Sequence, residues 1–269
     1  MKVGDCVNRQ RALEAACSQP NETIQDLLLN EILGRGKGCT AALATLLASG
    51  LTDKANKFAN NPSFNTLDHD CALSAKILNS EQGRSEQSPL HVAAAFNARR
   101  TVDILVRRGV SIDVMDALGY TRLFASCSVG AHDSTIRLLQ HGASPNYGTA
   151  EEIYKRAIPR SPLFALCHLS KDVNQNEKLL KIPKAAGLKL ERETWLNLPE
   201  YDGRPQYFKD ITYMQLKVDQ KNASRLLSLG TSAIRDQLNL VSKGNTSREL
   251  YKQLPVAKDT RNYLTLKGL

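Results

Sequence analysis

Aromatic side chains are scarce in this 269-residue chain: they make up 6% of it and include one Trp, Trp195. Such a core is closed by helices meeting through Ala and Leu, not by stacked rings. Long hydrophobic runs are missing too. The best candidates, such as Ala41 to Leu47, fall far short of the roughly 18 apolar residues of a membrane span. After Met1 and Lys2, the polar residues Asp5, Asn8, Arg9, Gln10 and Arg11 interrupt any apolar leader, so no secretory signal and no membrane partner are expected. The cytoplasm is the expected compartment, with the nucleus as a second one. No CxxC occurs. The six cysteines, at positions 6, 17, 39, 71, 127 and 167, lie scattered at Ala-like places in apolar helical patterns and read as buried small hydrophobes. The adjacent Cys167 and His168 would point to different faces of a helix, so no metal is expected. The sequons at Asn21, Asn222 and Asn245 carry no weight without secretion.

Catalytic signatures are absent as well. There is no GxSxG, and Gly34 to Thr40 (GRGKGCT) lacks the Gly-Lys-Ser/Thr ending of a phosphate loop and follows a helical Leu run, which makes it a helix C-cap and turn. Asp68-His69-Asp70 is the one acidic cluster around a histidine, and helix capping accounts for it. No catalytic residue and no cofactor are expected. The net charge of +9 is spread among acids, the densest pairs being Arg99-Arg100 and Arg107-Arg108. Without interleaved aromatics these read as solvated helix surface, so no nucleic-acid partner is expected.

What the chain does have is an internal repeat. SPLHVAAAFNARRTVDILVRRGVSID, from Ser88, and TRLFASCSVGAHDSTIRLLQHGASPN, from Thr121, align without a gap at an offset of 33 residues. Leu90 falls on Leu123, Leu105 on Leu138, Val106 on Leu139 and Gly109 on Gly142. Ser88 and Thr121 are set to cap a first helix, and Gly109 and Gly142 to end a second one in a left-handed conformation. A third copy starts at Ser161-Pro162-Leu163. There the cap-to-Gly distance grows from 21 to 26 residues, which puts about five extra residues near Lys171 to Asn176, between the helices. The segment from Tyr147 to Arg160 is long too. Upstream, Leu13, Ala16, Ile24, Leu27 and Leu28 stand at the repeat's apolar places, and the stretches from Cys39 and from Asp70 look like further helices.

The period, the Ser88-Pro89-Leu90-His91 start and the VxxLLxxGA-like second helix resemble the ankyrin repeat. Arg122, where the pattern has Pro, and Arg137, opposite Ile104, depart from it. The resemblance implies an all-α solenoid of helix-turn-helix repeats with short hairpin fingers over residues 8–198. It has about five repeats, best defined at 86–118, 119–148 and 159–190, with His91 a structural hydrogen-bonding residue. Trp195 would seal the array's end. In such arrays partners bind on fingers and the concave face, which singles out Met115, Asp116, Leu118, Tyr120 and Tyr147 as candidates for contact with a target protein.

Beyond Trp195 the pattern stops. Residues 199–221, with two prolines and a Gly in NLPEYDGRPQYFKD, read as a connector. From Asn222 an apolar surface recurs at helical spacing through Leu226, Leu227, Leu229, Ala233, Ile234, Leu238 and Val241. Leu226, Gly230 and Ile234 fall at the Leu, Cys and aliphatic places of the SOCS box. Leu254, Pro255, Val256, Tyr263 and Leu264 fall on that family's second motif, LPΦPxxLxxYL. Gly230, Ala257 and Thr260 depart from it. Residues 222–269 thus resemble a small helical SOCS-box module, and the order of modules resembles the ankyrin-repeat and SOCS-box family.

That resemblance implies a non-catalytic substrate-recognition adaptor of a ubiquitin ligase. Elongin C, with elongin B, would be held by Leu226, Leu227, Leu229, Gly230, Ala233 and Ile234. A cullin of the fifth class with its RING protein would meet Leu254, Pro255, Val256, Tyr263 and Leu264. The alternative is an ankyrin interaction scaffold whose tail only caps the array.

Overall fold

The computed structural model describes residues 3–19, 21–68, 87–116, 119–147, 161–170, 173–197, 210–221 and Ala233. Among the described residues there are eleven α-helices and no strand. They run as five consecutive pairs: α1 (Val3–Cys17) and α2 (Glu22–Arg35), α3 (Cys39–Ala48) and α4 (Thr52–Asn60), α5 (Pro89–Ala95) and α6 (Arg99–Arg107), α7 (Arg122–Ser128) and α8 (His132–Gln140), α9 (Pro162–His168) and α10 (Val173–Ala185). A last helix, α11 (Asp210–Lys221), follows two short 3-10 turns. The helix expected from Asp70, and the segment between Tyr147 and Arg160, lie outside the described residues.

First helices stack on first helices, α1 on α3, α3 on α5, α5 on α7 and α7 on α9. Second helices stack likewise, α4 on α6, α6 on α8 and α8 on α10. No pair has a closed core of its own, and the apolar faces are covered only by neighbouring pairs. The short first helices are sandwiched, so they are apolar nearly all round: Cys39 to Leu47 and Pro162 to Cys167 are buried without interruption. Ala93 and Ala94, both fully buried, let α5 approach its neighbours closely. Leu90, Leu105, Leu123, Leu138 and Leu163 form the repeating core, each contributing roughly 1.5–3 kcal/mol by its burial.

Helix starts follow the sequence signals. Thr121 Oγ1 accepts from Phe124 N (3.2 Å) and Ser161 Oγ from Phe164 N (3.0 Å). Asp68 also caps, and does so across the repeat: its carboxylate accepts from Thr40 N (2.9 Å) and Gly38 N (3.4 Å) at the start of α3. Gly36 closes α2 at φ 62°, as expected of the GRGKGCT turn. Gly109 (φ 82°) and Gly142 (φ 98°) turn the chain out of α6 and α8.

Two expectations need correction. On α2, Ile24 (47% exposed) and Leu27 (65% exposed) face out and Leu28 is half-buried. Gln25, Leu29, Ile32 and Leu33 face in instead. Gln25 is the reason this register holds, because its amide nitrogen donates to Ala16 O (2.9 Å) and Gln19 O (3.3 Å), and a satisfied buried amide loses little. Next, the residues expected between the helices of the third copy do not all lie there: Val173 to Asn176 belong to the second helix, and α10 has 13 residues where α6 and α8 have 9. At the end of the expected connector, residues 210–221 form α11, whose fully buried Leu216 packs on the array's end.

The inter-repeat ties are polar and run along the second helices. Lys54 Nζ reaches Asp26 (3.0 Å) and Gln25 Oε1 (2.9 Å). Thr101 Oγ1 donates to Asn56 Oδ1 (2.9 Å). Arg108 crosses to four carbonyls at the C-terminal end of α4: Ala59, Asn61, Pro62 and Phe64, at 2.6 to 3.2 Å. Arg137, which broke the repeat pattern, meets Asp103 at 2.5 Å, and His141 Nε2 meets the other oxygen at 2.8 Å. Burial alone would raise the Asp103 carboxyl. The His141 hydrogen bond and the Arg137 charge outweigh it and hold the pKa below its ordinary value.

Candidate interaction surface

The best-defined finger is built from its base. Past Gly109, the side chains of Val110 and Ile112 turn into the core, at 6% and 2% exposed, and fix the chain's exit. Asp113 then reaches the next repeat, where its carboxylate accepts from Ser144 N at 3.1 Å. One repeat on, Asn146 does the same work: Oδ1 accepts from Lys189 N (2.7 Å) and the amide donates to Gly187 O (3.0 Å). The Asp/Asn at this repeat position is therefore a rung between consecutive repeats.

The finger itself folds back on Asp116. Its N–H donates to Tyr120 O (2.9 Å), its Oδ1 accepts from Tyr120 N (2.9 Å), and Met115 bridges Thr121. Tyr120 stacks on Phe124 with centroids 4.2 Å apart and rings 15° from parallel. Two buried side chains then hold the backbone from below. His91 Nδ1 accepts from Ser88 N (3.3 Å), leaving Nε2 to donate to Tyr120 O (3.3 Å). This is the structural role expected of it.

Arg122 is the second. It is 2% exposed, and its guanidinium donates to Val114 O (2.9 Å), Ile112 O (3.4 Å) and Ser88 Oγ (3.0 Å). Burial lowers its pKa to about 10, with Asp113 and Asp116 opposing the shift. It remains a cation at neutral pH. Where the repeat pattern has Pro, this chain spends a buried charge on clamping the finger.

What the clamp presents is apolar. Val114 (42%), Met115 (43%) and Tyr147 (42%) are exposed on two consecutive fingers. Of the residues expected to meet a target, Met115 and Tyr147 are therefore exposed, Tyr120 and Asp116 are half-buried and engaged in the finger itself, and Leu118 lies outside the described residues. Val114 and Arg122 were not foreseen as parts of this surface. The 33-residue offset carried the signal for Val114, since it aligns Asp113 with Asn146 and so Val114 with Tyr147.

The thiols are placed for packing. Burial pushes Cys127 up to about 12 and Cys167 well above its ordinary value, and it also raises Cys39 and Cys17. Among the described residues no three His, Cys, Asp or Glu side chains gather as a metal site, and no helix is long and apolar enough to cross a membrane.

The residues expected to bind elongin C, Leu226, Leu227, Leu229, Gly230 and Ile234, lie outside the described residues. So do Leu254, Pro255, Val256, Tyr263 and Leu264, expected to meet a cullin. Ala233 is described, and it is exposed.

No curated protein matches the chain. Residues 85–117 do match a family, the ankyrin repeat. They span the Ser88 cap, the His91 bond, both helices and the Gly109 exit, so the unit formed by α5 and α6 is an ankyrin repeat, a repeat of protein-interaction type, and the described residues are helical without a strand.

Proposed function

We propose that this chain is a substrate-recognition adaptor of an elongin B/C, cullin and RING ubiquitin ligase. The array takes a target protein, and residues 222–269 dock on elongin C and a cullin of the fifth class. The clamped, exposed Val114 and Met115, with the exposed Tyr147 on the next finger, support the first half. Apolar anchors on a stiff backbone lose little entropy on binding. The Leu226 and Leu254-Pro255 motifs in the sequence support the second half. Catalysis is then positional: the chain raises the effective concentration of a target lysine near the ubiquitin-carrying enzyme and supplies no reacting group.

The second reading is an interaction scaffold with no ligase role. Gly230, Ala257 and Thr260 favour it, because a Gly at the box's Cys place would remove side-chain contacts and cost about 1 kcal/mol of helix propensity. Co-expression with elongins B and C separates the two. The adaptor reading expects co-elution that Leu226→Asp abolishes. Failure of the unmutated chain to co-elute leaves the scaffold.

A further inference from the structure

Beyond the last repeat, one carboxyl is built into the joint between the array and α11. Glu193 is fully buried. One of its oxygens, Oε2, takes both available donors, Ser161 Oγ at 2.6 Å and the Trp195 indole N–H. The other, Oε1, is buried without a hydrogen-bond partner. Its backbone carbonyl accepts from Gln220 of α11 at 2.9 Å. One residue thus touches the cap of α9, the Trp that closes the core and the helix beyond.

Among the described residues no cation pairs with that carboxyl. From α9 come the Cys167 thiol, whose pKa the carboxylate itself raises after burial, and His168. The latter packs its ring on Phe164 (4.6 Å) and edge-on to Trp195 (5.2 Å), and burial lowers its pKa. Lys184 of α10 is engaged with Asp219 of α11 at 2.7 Å. Lys217 lies half-buried on α11, and Arg192 is exposed on the turn before Glu193. A carboxylate with one bare, buried oxygen is cheaper as the neutral acid.

We infer that Glu193 is a proton-operated latch: neutral, it holds Trp195 and α11 closed on the last repeat, and ionised, it loosens that joint. Burial first, against the opposing Ser161 and Trp195 hydrogen bonds, raises its pKa from 4.5 to about 7. The docked state therefore binds a proton that the open state lacks between those values. Docking weakens as pH rises from near 4.5 towards 7, and the loss is complete above 7. The span corresponds to a change on the order of 100-fold in the docking equilibrium.

Hydrogen exchange on the full chain tests this, with the peptide covering 210–221 compared against α6 and α8 as internal references. Between about pH 5.5 and pH 8.5, after correction for intrinsic exchange, protection of α11 should fall about 30-fold in the wild type, the part of the full change that lies above pH 5.5. It should stay flat in Glu193→Gln, which keeps the shape and cannot ionise. A flat wild type, or the same slope in the variant, overturns the latch. Should Glu193→Gln leave α11 unprotected at every pH, the wild-type carboxyl titration decides, read by isotope-edited infrared spectroscopy: a midpoint near 7 supports the latch and one near 4.5 overturns it.

Discussion

Arg122 shows how a departure from a repeat pattern can carry function. A Pro at this place would start the helix just as well, but it has no donor. Arg122 takes the same first-turn position on α7 and sends its guanidinium under the finger to Ile112 O and Val114 O, and to the Ser88 hydroxyl one repeat back. Charge-assisted bonds of this kind are worth about 1.5–3 kcal/mol each when a partner is removed. Arg122→Met keeps the aliphatic bulk and loses the bonds. It should lower global stability by about 2–3 kcal/mol, seen in urea unfolding, while Val114 to Tyr120 amides exchange faster than those of α5. Unchanged exchange in the finger would show that the Asp116 turn suffices to hold it. Asp103 is a parallel case: a lone acid on one second helix makes the misfit Arg137 and His141 of the next intelligible as a pair of partners.

At the scale of elements, the sequence was legible wherever a local signal decided the outcome. Ser88, Thr121 and Ser161 start helices, Gly109 and Gly142 end them, and the 33-residue offset places α5 to α8 almost residue for residue. It was less legible where a tertiary contact chose between two local possibilities. Both faces of α2 carry Leu and Ile, and the tertiary bonds of Gln25, to Ala16 and Gln19 and from Lys54, select Leu29 and Ile32 for the inside. The first turn of α10 is polar in sequence and reads as lying between the helices. It is helical because Asn176, fully buried, exchanges hydrogen bonds with Ser170 at 2.7 and 3.1 Å. Of the candidate surface, the exposed Met115 and Tyr147 followed from the finger pattern, whereas the buried clamp beneath them did not, since no periodicity predicts a buried Arg. A contact of Ser170 also explains why Gly130 stands where the preceding repeat has Asn97. Both adopt positive φ, 53° at Asn97 and 69° at Gly130. Asn97 has room and caps Ser134 N at 2.9 Å, but a Cβ at Gly130 would sit 2.8 Å from Ser170 Oγ. Gly130→Asn, tolerable by backbone preference alone, should cost about 1–3 kcal/mol through that overlap. Pairing it with Ser170→Ala should recover part of the loss, and full additivity in the double mutant would rule the contact out.

For the molecule as a whole, stability in a stack of this kind is a sum over neighbours, and cooperativity depends on the weakest joint. The apolar contact between α3 and α5 and between α4 and α6 is continuous. Among the described residues, the buried polar part of that joint, by contrast, rests mostly on one side chain, since the Arg100–Asp53 pair (3.8 Å) is exposed. Arg108 supplies four carbonyl contacts and lies 5.7 Å from the centre of the Phe64 ring, while Thr101 adds a single bond to Asn56. Arg108→Met would leave Ala59 O and Asn61 O without these donors, at a cost of about 2–4 kcal/mol charged almost wholly to the interface. The first two helix pairs should then melt before the rest. Two probes can see this, because the chain's one Trp, Trp195, sits buried at the far end of the array and is blind to the N-terminal pairs, whereas circular dichroism counts every helix. At about pH 6, where Glu193 is held neutral, the wild type should give coincident urea transitions by fluorescence and by dichroism. In Arg108→Met the dichroism should begin to fall first and the fluorescence midpoint should move little. If both curves move together, the array is coupled through its apolar core alone, and Arg108 contributes stability without setting where the stack divides.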